Sequence, residues 1–554
     1  MPHAYIIGSA AAGPAFAGRL RRLREDYDIT IVEKSSNVSS ATCGIPFALS
    51  GEVPAEKLTV MSKQQLSSEF ALNVLLNTEC VSIDCNNKTL CLKTESNEVV
   101  ERHYDILFLS VGCSSFVPPL PGANLPNVFS VRTLDDLHRI KPVLSNSKHC
   151  TIVGGGFIGL ECAESLQHLG MKVTVVELLD QLMGPFDKEY ANYIHSACWK
   201  NGVNVLLETK CQSIVKNGDY LSVETSNGSV QTDFVLFCVG ILPNTKFLQD
   251  SQITLTDRGF IKTTDFGQCV NSHDEPLEGV FACGDATLFR HVSTNEKIPI
   301  LLAGPTARGS RICATNAVNP QQMSPLPTVN GNSIIRVFDQ FVGQVGASKK
   351  MLVRANVDFK EVHGTWVDHP EWFGSFAPIH VTVRFDKHTD RILGASVGGL
   401  SRDVPKILDS LSVFIQMKAT SADLSEFELA YAPPVAGPKS VINFIGNAVQ
   451  NELEGIAKFV TPDEVVDQNI PLVDVRPPPM RKMMGHVRGS VNIPLAQLRE
   501  SNDLPTGRFA VICKGGKFSH TAYRLLVQRG FDVANVSGGF FAFARMFPQL
   551  ITKE

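Results

Sequence analysis

Apolar positions in this chain fall into short continuous runs closed by glycine, and these runs alternate with stretches of helical period. The first run, Ala4 to Ile7, enters a turn of small residues, Gly8-Ser-Ala-Ala-Ala-Gly13. A helical pattern then covers Ala15 to Leu23, and a second apolar run, Ile29 to Val32, ends on Glu33. Short apolar runs joined through a helix read as parallel strands buried on both faces. The unit recurs as Cys150-Thr-Ile-Val-Gly154-Gly-Gly156-Phe-Ile-Gly159, a helix to about Leu169, and Val173 to Glu177. Two such units make an internal repeat and predict two nucleotide sites. Tyr104 to Gly112 and Asp233 to Gly240 are further buried strands, one after each unit, and a later strand reaches Val280-Phe-Ala-Cys-Gly284-Asp285. The order predicts a second nucleotide domain inserted in the first: residues 1–113 and 248–325 around residues 114–247. Residues 326–450 mix strands and helices without a glycine fingerprint. After the helical stretch 441–458 a last unit occupies residues 460–554.

The chemistry of such a turn is steric and electrostatic. Small residues admit a pyrophosphate close to the backbone, and the following helix offers free N–H groups and a partial positive charge. At the second turn Gly154, Gly156 and Gly159 are all present and Glu177 stands where ribose hydroxyls are bound. At the first, Gly8 and Gly13 keep the outer positions and Ala10 holds the middle one, beside Ala12; Glu33 and Lys34 follow the second strand. Gly112 ends a strand near the same site, and Asp285 after Gly284 is expected to reach a flavin's ribityl or pyrophosphate through a helix start. Glu177 would repel a 2′-phosphate, and Leu178, Leu179 and Asp180 supply no cation, so NADH is expected over NADPH.

Composition narrows the class. The 554 residues are 44% hydrophobic and 19% charged, with a net charge of −4, which gives no support for nucleic-acid binding. No apolar run approaches the roughly 18–20 residues of a membrane helix. The first residues enter a strand directly, without a secretory pattern, so a soluble cytoplasmic protein with no membrane partner is expected. Fourteen cysteines are scattered without metal-site or disulfide-scaffold spacing, and reduced thiols with no bound metal are expected.

One cysteine stands apart. Cys43, in Ser39-Ser-Ala-Thr-Cys43-Gly-Ile-Pro46, has no partner at CxxC or Cx4C spacing, which disfavours an internal dithiol cycle. Together with both glycine turns, Glu33-Lys34, Gly284-Asp285-Ala and Ala430-Tyr431-Ala-Pro-Pro434, this segment resembles the coenzyme A-disulfide reductases. These are the single-cysteine branch of the flavin-dependent pyridine-nucleotide disulfide oxidoreductases. The resemblance covers about residues 1–450. It implies FAD on the first turn, NADH on the second, and a cysteine beside the flavin that alternates between thiolate and a mixed disulfide with coenzyme A. A thiolate near the flavin and a helix start is expected to be stabilised. The resemblance further implies coenzyme A contacts from Arg19, Arg22, Ser39 and Thr42, although Thr42 stands where the family has Asn. It also implies a homodimer in which Tyr431 reaches the partner's site. A second family tyrosine pair is replaced by Trp372-Phe373.

The C-terminal segments Leu472-Val-Asp474-Val-Arg476, Gly485-His486, Asn492-Ile-Pro494, Ala510-Val-Ile-Cys513-Lys-Gly-Gly-Lys-Phe-Ser519 and Gly538-Gly539 resemble rhodanese signatures in order. Cys513 is expected at a strand end, before a helix from about Ser519 to Gln528, where converging N–H groups would hold a thiolate or persulfide. Lys514 and Lys517 add positive charge, and Phe518 stands where many rhodaneses have Arg. Asp474 and Arg476 read as structural partners. The fold class expected is α/β: nested Rossmann-like FAD and NAD domains, an α+β dimerisation domain and an α/β rhodanese domain. The activity expected is NADH-dependent reduction of coenzyme A disulfide, coenzyme A persulfide or polysulfide through Cys43, with sulfane sulfur carried on Cys513. Two alternatives stand beside it: an NADH peroxidase or oxidase using a Cys43 sulfenic acid, disfavoured by Ala11 where those enzymes have histidine, and a non-catalytic redox sensor or sulfur carrier.

Overall fold

A computed structural model describes residues 1–553. The chain forms two compact units, the first made of Met1–Asp180, Gly202–His291 and Glu296–Val329, the second of Gln181–Asn201, Val292–Asn295 and Asn330–Glu554.

The first unit holds the two repeats. Strand His3–Ile7 lies at the centre of a six-stranded sheet, between Asp28–Val32 and Ile106–Leu109. Asn73–Leu75 extends one side and Pro276–Ala282 the other, all parallel, and only the edge strand Gln268–Val270 runs antiparallel. The sheet is covered on both faces, which is why its strands are apolar throughout. Ala4 and Ile6 pack toward helix Ala12–Leu23, with Phe16 stacked on Phe108 at 4.0 Å. Tyr5 and Ile7 point the opposite way, toward Leu107, Leu109 and Ile261. The second repeat builds a five-stranded parallel sheet in the order Asn204–Leu206, Lys172–Val176, His149–Val153, Phe234–Phe237, Val128–Ser130. In each sheet the strand that feeds the glycine turn is central, so both turns open at a point where the strand order reverses.

The second unit contains a five-stranded antiparallel sheet running from Ser333–Val337 through Gln340–Gly346, Ile392–Gly399 and Pro378–Asp386 to Phe359–Val367. Helices Val404–Gln416 and Val441–Leu453 bury their apolar stripes on it. Helix Lys188–Lys200 also packs here, its Tyr190 hydroxyl bonded to Thr382 and to the Ser396 carbonyl, both at 2.9 Å. The C-terminal part is a five-stranded parallel sheet, Phe459–Val460, Val533–Val536, Phe509–Ile512, Leu472–Asp474 and Val491–Asn492. It is joined to the antiparallel sheet by Lys349, which bridges Glu361 and Asp463 at 2.8 and 2.7 Å, and by the His363 N–H donating to the Ser537 hydroxyl at 2.8 Å.

Candidate active site

The two glycine turns are built alike, and their geometry explains the difference in their sequences. Gly8 has φ +100° and a Cβ there would lie 2.3 Å from the Ser110 carbonyl oxygen; Gly154 has φ +107° and a Cβ would lie 2.4 Å from that of Cys238. A Cβ on Gly13 would meet the Gly8 carbonyl oxygen at 2.0 Å, and one on Gly159 would meet that of Gly154 at 2.1 Å. Only glycine fits these four places. The middle position is different: nothing lies within 4 Å of a Cβ on Gly156, and that open place is the one Ala10 fills in the first turn. Each acid caps its own turn. Glu33 accepts from the Ser9 N–H (3.1 Å) and hydroxyl (2.7 Å) and from the Ser35 N–H and hydroxyl at 2.9 and 2.8 Å. Glu177 accepts from the Gly155 N–H at 2.7 Å and the Leu179 N–H at 2.8 Å. A carboxylate has about four acceptor positions; Glu33 already accepts four bonds, whereas Glu177 accepts two and retains capacity for ribose. Lys34 is exposed beside the first turn.

Cys43 is the one exposed cysteine of the fourteen. It lies in a single 3-10 turn, Thr42–Gly44, that runs into helix Ile45–Leu49. That helix is only five residues long, and the protein around Cys43 pushes its thiol pKa up rather than down. Partial burial is the main cause; the Glu161 and Asp285 carboxylates add to it and Arg132 opposes it. Stabilisation of the thiolate is expected from the flavin and the helix start together; among the charged groups of this chain around Cys43, Arg132 favours it. The position of Asp285 differs from expectation. It follows Gly284 at φ +114°, but no helix begins there, and its carboxylate pairs with Arg132 at 2.6 Å. Arg132 was absent from the sequence reading. Its only signal was its place between a short strand and the Thr133–Asp136 capping box.

Of the other residues considered, Ser39 is buried at φ 52°, its N–H donating to the Ser9 carbonyl, so it ties the Cys43 segment to the first turn. Thr42 is partly exposed beside Cys43. Arg19 donates to Thr315 at 3.3 Å on helix Ala303–Val318, while Arg22 is exposed. Arg21, between them, is a structural clamp on the carbonyls of Glu25, Phe70 and Ala71. Gly112, at φ +59°, faces open space.

Tyr431 and Cys513 belong to the second unit. Tyr431 is 52% exposed, and Trp372, Phe373, Phe376 and Phe427 of the same unit are exposed as well. Cys513 ends strand Phe509–Ile512 and is 1% exposed; its sulfur accepts from the Gly516 N–H at 3.2 Å and the Ser519 hydroxyl at 3.3 Å. Gly516, at φ +105°, starts helix Lys517–Gln528, so the loop turns its amides inward. The Lys514 ammonium sits over the Phe541 ring at 5.6 Å, and Lys517 and Phe518 are exposed. Asp474 and Arg476 form a fully buried two-pronged ion pair, with the guanidinium over Phe540 at 4.0 Å and bonded to the Gly485 carbonyl. That pair is structural.

Residues 2–304 match the model of the family described as pyridine nucleotide-disulphide oxidoreductase, and residues 462–546 match the rhodanese-like domain. The chain belongs to the pyridine nucleotide-disulphide oxidoreductase family. The crystal structure of reduced Bacillus anthracis CoADR-RHD is similar over 99% of both chains, at 32% identity and a TM-score of 0.93. A NAD-dependent persulfide reductase from A. fulgidus is similar over 98% of this chain and all of its own, at 26% identity and a TM-score of 0.89. The coenzyme A disulfide reductase of Staphylococcus epidermidis is 28% identical over 462 residues, 80% of this chain and 99% of that protein. The fold of this family member is mixed α/β with a rhodanese-like domain at its C-terminal end, and the chain is an enzyme of the disulfide reductase type. Among the described residues no helix is long and apolar enough to cross a membrane, and no group of side chains is arranged to hold a metal ion.

Proposed function

We propose that this protein uses FAD and NADH to reduce coenzyme A disulfide, coenzyme A persulfide or polysulfide at Cys43, and that it carries sulfane sulfur on Cys513. The observation that carries the reading is Cys43 itself: a lone exposed thiol in the unit that holds two nucleotide turns, linked through Ser39 to the first of them. The residues present fit both nucleotides. At the first turn Gly8, Ala10, Ala12 and Gly13 leave a cradle with no side chain larger than a methyl group; Asp285, and Glu33 once it exchanges a serine donor, offer carboxylates to a flavin's ribityl and ribose hydroxyls. At the second, the open face of Gly156 admits a pyrophosphate and Glu177 selects an unphosphorylated ribose. Bound FAD supplies the two-electron relay between NADH and a disulfide. Burial pushes the free Cys43 thiol up, so attack on a disulfide needs the thiolate formed in the assembled site, with Arg132 the cation of this chain that favours it.

Arg19 and Arg22 supply the charge for coenzyme A phosphates, with Ser39 and Thr42 nearer the sulfur. A homodimer is proposed in which the exposed Tyr431 reaches the partner's site and donates its hydroxyl proton to the leaving sulfur. Trp372-Phe373 cannot make that donation. At Cys513, the Gly516 N–H and Ser519 hydroxyl hold a persulfide anion, and Phe518 favours a donor less anionic than thiosulfate. The protein is proposed to act in the cytoplasm.

The test is mass spectrometry of the purified holoenzyme, followed by steady-state NADH oxidation with coenzyme A disulfide, coenzyme A persulfide, polysulfide and hydrogen peroxide. A coenzyme A adduct on Cys43 and saturable turnover of a sulfur acceptor are expected. Rapid peroxide turnover with no response to any sulfur acceptor would replace this reading with a sulfenic-acid peroxidase.

A further inference from the structure

Strand Phe359–Val367 is an edge of the antiparallel sheet, so the backbone groups on its outer side have no neighbouring strand. The segments around Cys513 occupy that edge. The His363 N–H donates to the Ser537 hydroxyl at 2.8 Å, and a Cβ on the next residue, Gly538, would lie 2.9 Å from the His363 Cβ. Two residues further along the strand, the Thr365 carbonyl oxygen and Cβ lie 3.2 and 3.8 Å from where a Gly515 Cβ would be. Gly539 holds the same loop: a Cβ there would meet the Cys513 carbonyl oxygen at 2.6 Å and the Gly516 and Gly515 nitrogens at 2.9 and 3.0 Å. The loop that encloses the Cys513 sulfur is thus wedged between the Gly538–Gly539 turn and a strand of the neighbouring sheet. Its exposed part is Lys517 and Phe518.

We propose that Thr365 is a specificity-determining residue of the Cys513 site, a wall that confines it to slender sulfur donors such as an inorganic polysulfide chain or a persulfide on an unbranched arm. The inference rests on the reading of Cys513 as the sulfur carrier. Cys513 is 1% exposed, so a donor reaches it only where the loop yields. Toward Thr365 the loop cannot yield, because the contact is already close and close-packed groups resist compression. Thr365 is itself fixed: its hydroxyl is hydrogen-bonded at 3.0 Å to Nδ1 of the fully buried His380, its register partner on the adjacent strand. Toward Gly539 the loop meets backbone. The direction left is that of Lys517 and Phe518, and a passage opened from one side admits an unbranched chain and resists a ring.

Thiosulfonates, RSO₂S⁻, probe this wall because the group R can be varied without changing the reaction. The Cys513 thiolate attacks the outer sulfur, the S–S bond breaks and the sulfinate RSO₂⁻ leaves, so that Cys513 holds the outer sulfur as a persulfide anion. Cyanide then attacks that sulfur, departs with it as thiocyanate and restores the thiolate. Neither step draws on the flavin, on NADH or on Cys43.

The test uses the full-length holoenzyme, without NADH, as the parent and as Thr365→Ala, Thr365→Phe and Thr365→Val. One arm measures kcat/KM for thiocyanate formation with methanethiosulfonate and with benzenethiosulfonate. The other follows alkylation of Cys513 by iodoacetamide and by iodoacetanilide, read by mass spectrometry of its peptide; the two reagents share a reactive group and differ by a phenyl ring. In each arm the ratio of slender to bulky reagent cancels the thiolate fraction and any general loss of active protein. Thr365→Ala is expected to narrow both ratios several-fold and Thr365→Phe to widen them. Thr365→Val keeps the volume and loses the hydroxyl, and should keep the parent's ratios. Ratios that ignore the size of residue 365, or a Thr365→Val that behaves as Thr365→Ala, would overturn the proposal. Thiocyanate formation that persists in Cys513→Ser, or that is absent in the parent, would instead remove the sulfur-carrier reading, while the alkylation ratios decide the role of Thr365 by themselves.

Discussion

Arg384 offers the sharpest test of how the second unit is held together. The side chain is fully buried; its guanidinium is bonded to Asp187, lies 3.5 Å from Glu361 and donates to Ser396 at 3.3 Å. Glu189 and His363 complete the group, with His363 Nδ1 3.7 Å from Glu189 and Nε2 3.8 Å from Glu361. Arg384→Met keeps most of the stem's volume but leaves three buried carboxylates with only His363 and, at Glu361, the Lys349 ammonium. Removing one partner of a buried ion pair costs about 3–5 kcal/mol, because the remaining charge has lost both water and counter-ion. With a urea slope of about 3 kcal/mol per molar, the midpoint falls by about 1–1.7 M. The three tryptophans, Trp199, Trp366 and Trp372, all lie in the second unit, so indole emission follows this unit while flavin release follows the first. The expected result is an indole-detected midpoint lowered by that amount, with flavin release unmoved. An indole midpoint within about 0.3 M of the parent's would refute the claim that the cluster is held by this guanidinium.

The same cluster gives the unit a pH dependence. Burial, with Asp187 adding, pushes the Glu189 carboxyl up from the ordinary 4.5 to about 7, so its contribution is full at low pH and is lost as pH rises through that range. Urea midpoints read by indole emission should fall as pH rises from about 5 to 7.5, and Glu189→Gln should flatten that slope. At the second turn, Gly159→Ala sets a Cβ against a backbone oxygen and should raise the KM for NADH about tenfold or more, a loss of about 1.4 kcal/mol; Gly156→Ala, with open space around it, should leave the unfolding midpoint unchanged. Glu177→Gln removes the charge while keeping an acceptor for the Gly155 N–H, and should narrow the ratio of kcat/KM for NADH over NADPH by about tenfold; a ratio of one in the parent would remove the basis of the claim. Cys43→Ser should abolish NADH-dependent reduction of every disulfide with FAD retained, whereas Cys513→Ser should slow only reactions in which sulfur is first captured from a donor; the reverse pattern would put the catalytic centre in the other unit.

Local pattern was enough wherever one short segment decides the outcome. Both glycine turns, the strands that feed them and the acids that close them were legible because a parallel strand covered on both faces must be apolar throughout, and because a Cβ at four of the turn positions collides with backbone. The same holds for Cys513, whose strand, loop glycines and helix are contiguous. Residues that act across long sequence separations were not legible. Arg132 and Asp285 are 153 positions apart, and neither calls for the other in the sequence. Arg384 stands in the run Pro378–Asp386, a strand buried on both faces, and its counter-charges come from Asp187, just before helix Lys188–Lys200, and from Glu361 on strand Phe359–Val367. That helix follows the second repeat in sequence yet packs in the other unit, a choice made by Tyr190 and its neighbours rather than by any boundary signal. The carboxylates that raise the Cys43 thiol pKa, Glu161 and Asp285, are likewise remote from it in sequence.

An enzyme whose substrates are disulfides exposes its own thiols to exchange, and the distribution of the fourteen cysteines answers that hazard. Exchange needs thiolate, and burial withdraws it: Cys80 and Cys113 are pushed up to about 12 and Cys211 to about 11. At neutral pH a thiol of pKa 12 is ionised in about one molecule in 10⁵, so these side chains behave as small apolar residues. Cys513 is protected differently. It is enclosed, but two donors point at its sulfur, and Gly515 packs so closely that a Cβ there would lie 3.2 Å from the Thr365 carbonyl oxygen. A sulfane sulfur held there is stabilised as an anion while the approach is restricted to a small donor. Cys43 alone is left both exposed and unpaired. Cys238 is the intermediate case, a partly exposed residue just after strand Phe234–Phe237. The protein's reactivity toward disulfides is therefore set less by how many cysteines it has than by which sulfurs can be reached and which have a donor beside them.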